Sequence, residues 1–322
     1  MKKSLLNLIC CPFCKNSFDL EITQEKNGEI EEGSLFCSCG KVFPIIFGIP
    51  RILPDTLPDK KKETAESFAF EWEKFSQMRD EWQKNFDFYF KPVDREDLKN
   101  KIALELGCGN GRHTFYAGKI FKELISIDLS RAIDVAKANN KDQNNIHFIQ
   151  ADIYYLPLKE KFFDFVFCLG VLHHLPTPEQ GFEKLVNLVK QGGGVLIYVY
   201  HKFSKKDPKY YILAPVTLLR KLTTKLSHKI LYILCYPIAI LSYLIFVLPY
   251  KYLFKYFVKE GWPLGTYANY SFFVILNDTF DRFSAPIENR YSKEEILAWY
   301  QRSSFKNIKI LAGSGWRLFG TK

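Results

Sequence analysis

Eight cysteines stand in the chain, and four of them form two close pairs, Cys11-Pro12-Phe13-Cys14 and Cys37-Ser38-Cys39-Gly40, with 22 residues between the pairs. Two pairs at this distance can bring four thiolates around one tetrahedral Zn²⁺. Four thiolates leave no open coordination position, so the role expected of Cys11, Cys14, Cys37 and Cys39 is structural. The module they staple, residues 1–53, has little core of its own and takes its folding energy from the ion. The second pair has one intervening residue in place of the usual two, and Cys10 is a spare thiol able to compete as a ligand.

A second set of reactive and binding groups begins at Glu105-Leu106-Gly107-Cys108-Gly109-Asn110-Gly111-Arg112. Glycines at a strand-to-helix turn let the backbone approach a ligand, and the helix N-terminus offers N–H groups to a carboxylate or phosphate. A nicotinamide dinucleotide fingerprint needs its third glycine one place further on, where Arg112 stands, so that reading drops. Asp128 follows seventeen residues after Gly111, placed to accept both hydroxyls of a ribose, and Gln150-Ala151-Asp152-Ile153 offers a second carboxylate beside an apolar side chain. Then comes Cys168-Leu169-Gly170-Val171-Leu172-His173-His174-Leu175, with two imidazoles, and later His201. Any one of these fits a solvated acid or a core histidine; their succession is difficult to assign to packing.

The elements that must position these groups follow from periodicity. Apolar runs at 102–106, 124–129, 146–149, 163–169 and 195–200 alternate with helix-like segments, the pattern of a doubly wound parallel sheet. Such sheets bind ligands at the carboxyl ends of their strands, where the glycines, acids and histidines lie. Alternation resumes with a capped helix from Ser292 and short runs at 308–311 and 316–319. Ahead of the sheet, Pro54 to Lys62 reads as a linker. Phe68, Trp72 and Phe75, then Trp82, Phe86 and Tyr89, have the spacing of two amphipathic helices whose aromatics pack on the next domain.

In these motifs residues 101–200 resemble a class I S-adenosylmethionine-dependent methyltransferase, and the cysteine module resembles the Trm112-like zinc ribbon that precedes such domains in some bacterial methyltransferases. The run from Asp278 to Tyr291, Asp-Thr-Phe-Asp-Arg-Phe-Ser-Ala-Pro-Ile-Glu-Asn-Arg-Tyr, recurs in that group. The resemblance implies an α/β fold, a doubly wound Rossmann-like methyltransferase sheet with an N-terminal zinc ribbon and a helical apolar insertion. It implies S-adenosyl-L-methionine and structural Zn as cofactors. Gly107, Gly109 and Gly111 would shape the cofactor loop and Glu105 would order it. Asp128 would hold the ribose, Asp152 would accept from the adenine amino group with Ile153 against the ring, and Leu169 and Gly170 would lie near the sulfonium. A sulfonium is already activated, so the remaining task is alignment of the acceptor and exclusion of water. An acceptor that carries a proton benefits from a base, and His173 and His174 are the catalytic candidates, with His201 ranked below them. Arg282 and Arg290 are the substrate candidates, in a charged segment able to close over the acceptor.

Composition sets the outer bounds. The chain has 322 residues, 47% hydrophobic, 16% aromatic and 25% charged, which supports a large core and excludes disorder. Its formal charge is +10, and residues 201–260 hold eleven Lys or Arg against two acidic residues. Within that stretch 230–250 carries no charge, while Pro237 and Pro249 argue against one straight helix. Leu218, Leu219, Leu222, Leu226 and Ile230 would share a helical face opposite Arg220, Lys221, Lys225 and Lys229, and Lys251, Lys255 and Lys259 follow. This predicts an in-plane or re-entrant helical pair on the anionic cytoplasmic leaflet; a soluble lid is the alternative. Met1-Lys2-Lys3 with the apolar residues after it imitates a signal peptide, but the run is short and cut by Asn7, and the cysteine usage points to a reducing cytosol. The expected organisation is 1–53 ribbon, 54–100 linker and aromatic helices, 101–201 cofactor-binding core, 202–265 basic apolar insertion, and 266–322 substrate-side segment with the last helix and strands. The expected function is methyl transfer to a small-molecule or lipid-linked acceptor at the cytoplasmic membrane face. An RNA methyltransferase is one alternative, although the basic stretch lacks a stacking platform for nucleic acid. A non-catalytic adaptor that binds the cofactor or a partner is the other.

Overall fold

The chain first builds an antiparallel meander, β1 (Phe18–Lys26), β2 (Glu29–Cys37), β3 (Val42–Ile46) and β4 (Ile49–Ile52). Asn27-Gly28 makes the first reversal because both residues hold left-handed backbone, φ 53° and 76°, the geometry a two-residue hairpin requires. In the computed structural model, which describes residues 1–258, 262 and 264–322, this meander is not a free-standing module. Its last strand pairs in parallel with a strand of the main sheet, Arg51 opposite Gln150 and Ile52 opposite Ala151. Arg51 fastens the joint, donating to Asp134 Oδ1 at 2.5 Å and to Gln150 Oε1 at 3.1 Å.

Two helices follow, α1 (Asp59–Lys74) and α2 (Glu81–Phe90). On α2 the buried residues Trp82, Phe86 and Phe90 recur every four positions, as an apolar stripe should. On α1 a mostly polar set is buried beside the aromatics: Lys61, Thr64, Ser67, Ala69 and Glu71 are buried, Phe68 and Trp72 are half-buried, and Phe75 at the C-cap is buried as expected. The core then alternates as read: β5 (Ile102–Leu106), α3 (Arg112–Ala117), β6 (Glu123–Asp128), α4 (Ala132–Asn139), β7 (Ile146–Ala151), β8 (Phe163–Leu169), α5 (Pro178–Leu188) and β9 (Val189–Tyr200). Proline at the start of α5 costs no hydrogen bond, because the first N–H of a helix has no internal partner.

A helical unit, Phe203–Pro286, comes next. It contains α6 (Pro208–Thr223), α7 (His228–Ser242), a π-helical turn at Tyr243–Val247, α8 (Leu248–Tyr252) and α9 (Phe272–Ser284). Three sequence expectations change here. The basic amphipathic stretch is not one helix: α6 stops at Thr223, and the Ser227 hydroxyl caps α7 by accepting from Ile230 N. Arg220 leaves the lysine face and is buried, its Nε donating to Arg282 O at 2.8 Å. Helix runs through both prolines from His228 to Tyr252, with the π turn absorbing the N–H that Pro249 lacks. Lys259 lies outside the described residues.

The chain returns through α10 (Lys293–Arg302), β10 (Lys306–Leu311) and β11 (Gly315–Thr321). The Ser292 hydroxyl and the Glu295 carboxylate close a capping box at the start of α10. β11 runs antiparallel to β9 and to β10. The result is one eleven-stranded sheet in the order β1-β2-β3-β4-β7-β6-β5-β8-β9-β11-β10, with β6 at its centre and the carboxyl ends of β5, β6 and β7 side by side. Phenylalanine fills one face: Phe86, Phe90, Phe121, Phe165 and Phe167 are all buried, and each contributes about 1.5–3 kcal/mol relative to exposure.

Candidate functional site

The four cysteines converge. The Sγ atoms of Cys11, Cys14, Cys37 and Cys39 lie within 4.8 Å of one another, with Cys14 to Cys37 at 3.2 Å and Cys11 to Cys39 at 3.8 Å. A tetrahedron with Zn–S bonds of about 2.3 Å has edges of about 3.8 Å, so four thiolates here fit zinc. Two tight turns aim them: Lys15 and Gly40, each one residue past the second cysteine of its pair, hold φ values of 64° and 85°. Cys10 is not part of the group; it is buried, and its backbone N donates to Pro157 O.

The second site lies at the carboxyl edge of β5, β6 and β7. The glycine loop leaves β5 and is tied to β6 by Gly107 N and Cys108 N, both donating to Ile127 O. Gly107, Gly109 and Gly111 hold φ of 78°, 55° and 79°, which side chains resist. A Cβ at Gly107 would strike Val171, and one at Gly109 would sit 2.8 Å from the indole nitrogen of Trp72. Asp128 Oδ2 accepts from Gly109 N at 2.9 Å, and its Oδ1 accepts from Ser130 N and Oγ at 2.8 and 2.7 Å. Burial raises the Asp128 carboxyl above its usual range, against the pull of these donors. Glu105 beneath the loop accepts from Thr114 Oγ1 at 2.5 Å and Ser126 Oγ at 3.1 Å, and burial pushes it up to about 7.

Asp152, one strand further, is 1% exposed and pairs with Lys61 Nζ at 2.5 Å. Tyr154 N also donates to its Oδ1, and the Lys61 ammonium lies 4.0 Å from the centre of the Tyr154 ring. Ile153 is buried beside it. Beyond these groups opens a cleft of about 740 Å³ that Lys61, Asp152, Tyr154, Thr177 and Gln180 help to line. On the other side, Leu169 is half-buried, and Gly170 (φ 82°) faces open space, nothing lying within 4 Å of a Cβ built there. A left-handed glycine cradle, a ribose-height carboxylate and a buried carboxylate that demands a donor are what an adenosyl ligand needs. The residues present therefore fit one.

His173 and His174 sit at the end of β8, both buried. His174 Nδ1 donates to Ile287 O at 2.6 Å, which leaves Nε2 as the ring nitrogen free to face an acceptor. His173 stacks on Tyr200 at 3.8 Å, neither of its ring nitrogens has a partner among the described residues, and burial keeps the ring neutral. Asn289 clamps the pair through its backbone N and its side-chain amide, both donating to His173 O. Arg290 pairs with Glu288 at 2.8 Å and lies over the Tyr200 ring. Arg282 belongs instead to the helical unit, on α9, so the first half of the charged segment 278–291 is helix. His201 packs against Trp316.

Lys61 was not legible as a site residue: it stands in a lysine run after two prolines and reads as linker. The polar residues at 61, 64, 67 and 71 hold helical spacing, and that was the available signal.

Residues 104–197 match the model of a methyltransferase domain family, and residues 2–48 match that of the Trm112p-like proteins. A ubiquinone biosynthesis O-methyltransferase of Coxiella burnetii is 34% identical over 98 residues, 30% of this chain and 42% of that protein. A tRNA U34 carboxymethyltransferase of Nautilia profundicola is 31% identical over 104 residues, 31% of this chain and 35% of that protein. Among solved structures, a SAM dependent methyltransferase from Aquifex aeolicus aligns over 74% of this chain and 96% of its own, at 14% identity and a TM-score of 0.40. The chain spans less than half the length of the two sequence relatives named here.

Proposed function

We propose that this chain, in which a methyltransferase domain follows a Trm112p-like module, transfers a methyl group from S-adenosylmethionine to a small-molecule or lipid-linked acceptor at the cytoplasmic membrane face. The observation that carries the reading is the meeting of Gly107, Gly109, Asp128 and Asp152 at three adjacent strand ends. When bound, the cofactor supplies a methyl group already activated on sulfur. Asp128 holds the ribose, Asp152 and Ile153 hold the adenine, and Leu169 and Gly170 border the sulfonium. His174 presents Nε2 to an acceptor hydroxyl or amine and takes its proton, while neutral His173 and the Tyr200 ring beside it exclude water. Arg290 and Arg282 remain the substrate candidates.

The membrane half of the reading rests on the helical unit. His228–Tyr252 is long and apolar enough to cross a membrane by length and composition. A narrow stripe on α7, Leu231, Cys235 and Ala239, is buried on the side that packs on α9, and Val247 is buried in the π turn. Ile233, Leu241, Leu244 and Ile245 are exposed, as are Leu218 and Leu222 on α6. Lys221, Lys225 and Lys229 stand exposed among them, a combination suited to anionic head groups. A small-molecule acceptor agrees with the name of the Coxiella relative; the name of the Nautilia relative and the basic stretch favour the second reading, RNA methylation.

Calorimetry with S-adenosylhomocysteine tests the cofactor. Asp128→Ala is expected to weaken binding about 10- to 100-fold, the worth of one or two charge-assisted hydrogen bonds; unchanged binding removes the assignment. Labelled methyl supplied to a cell extract then separates the acceptors. Label in the lipid fraction supports the reading, and label in RNA alone replaces it with the second.

A further inference from the structure

Helices that pack on a sheet bury their apolar stripe, because that is what desolvation rewards. α1 does nearly the reverse: apart from Ala69, its buried residues are Lys61, Thr64, Ser67 and Glu71. A buried polar stripe is explained when the surface it covers is itself polar. Three contacts show what α1 covers. Lys61 Nζ is on Asp152 at 2.5 Å, the Phe68 ring meets His174 at 5.0 Å, and Trp72 fills the space that Gly109 leaves. From Lys61 to Trp72 is about 16 Å along a helix, so α1 runs from the adenine carboxylate, past the histidines, to the glycine loop.

We infer that α1 is the movable wall of the cofactor crevice and that Lys61 is an internal stand-in ligand, holding Asp152 until the adenine amino group displaces it. The inference rests on the cofactor reading above and adds residues to it. A buried lone carboxylate is costly, and an ammonium on a flexible four-carbon stem is a suitable temporary partner. The pair is held loosely in one respect: burial lowers the Lys61 pKa, so its ammonium is poorly solvated where it sits. Release has a path, since Lys61 lines the 740 Å³ cleft with Thr56, Pro58 and Gln180, and it lies in the first turn of α1, next to a non-helical connection from β4. The far end of α1 is fixed more firmly. Arg112 lies between the Trp72 and Trp82 rings at 4.6 and 4.5 Å, and Asn110 Nδ2 donates to Phe75 O. The wall therefore swings at its Lys61 end.

The test uses the full chain and S-adenosylhomocysteine. In the free protein Lys61 resists acylation by an amine-reactive reagent; with ligand saturating, its labelling read by peptide mass spectrometry rises at least severalfold, while the exposed Lys99 is unchanged. Lys61 still protected in the complex overturns the inference. In calorimetry Lys61→Met binds about tenfold more tightly than the natural chain, as for a competent state populated at about one tenth before the change. Equal or weaker binding by a folded Lys61→Met variant also overturns it. Asp128→Ala separates the two claims: if the natural chain binds and Asp128→Ala does not, the cofactor reading stands whatever Lys61 does. If the natural chain does not bind, both fall together.

Discussion

The two additions to the main sheet, the cysteine module and the helical unit, bury themselves in opposite ways. The module ends in β4, whose hydrogen bonds continue the main sheet, and its inward residues Leu35, Phe43 and Ile45 belong to the same core as Leu106 of β5 and Val166 of β8. The helical unit closes a small core of its own around Leu231, Cys235, Ala239 and Phe280, and it leaves most of a long apolar helix uncovered. A part that shares backbone pairing with its neighbour continues that neighbour's core, whereas a part that closes a small core of its own exposes the apolar surface which that core does not take in. The first arrangement suits a frame and the second suits a docking surface.

The largest effect that would break this contrast is metal removal. If the module is frame, chelation or Cys37→Ser withdraws on the order of 10 kcal/mol of folding free energy and lowers the thermal transition of the whole sheet unit. A first transition confined to the module, with the second unmoved, would make it an appendage. Next in size is a pH effect in the shared core. Native Glu105, raised to about 7, keeps its proton where the unfolded chain, near 4.5, has released it. Stability is therefore greatest below about pH 4.5 and falls as pH rises to about 7, by about 3 kcal/mol. Glu105→Gln should flatten that slope in urea titrations, and an unchanged slope would place the titration elsewhere.

Changes in the helical unit should leave both of these results alone. Replacing Lys221, Lys225 and Lys229 with glutamine should cost about 1 kcal/mol of membrane attraction per lysine, read as loss of flotation with phosphatidylglycerol vesicles at unchanged thermal stability. Flotation equal to that of the natural chain removes the head-group role. The smallest expected effect is at the capping box: Ser292→Ala should lower sheet-unit stability by about 1 kcal/mol, and no change would show that α10 is held by Ile296, Trp299 and Tyr300 alone.

What was legible beforehand was local. The runs at 124–129 and 146–149 are strands because buried parallel strands are continuously apolar, and Asp128 and Asp152 fall at or just past their ends because the chain turns there. The four-thiolate cluster was readable from spacing alone. What escaped depends on partners distant in sequence. Nothing in 49–52 says that the strand will pair with 150–151, and nothing near Lys61 points to a carboxylate 91 residues away. Arg220 looked like one more surface cation because its partner, the Arg282 carbonyl, is backbone and leaves no trace in side-chain pattern.

The helical unit departs and rejoins the sheet at a single seam, where Lys202 N donates to Tyr291 O and His201 bridges Tyr291. The rejoining residues Ile287 and Asn289 are the ones that grip His174 and His173. Such a seam makes residues 203–286 an exchangeable cartridge: a different one could be spliced in without rebuilding the strands. The residues that hold the imidazoles, Ile287 and Asn289, follow directly after it, so a replacement whose end pulled on them would also retune the chemistry of His173 and His174.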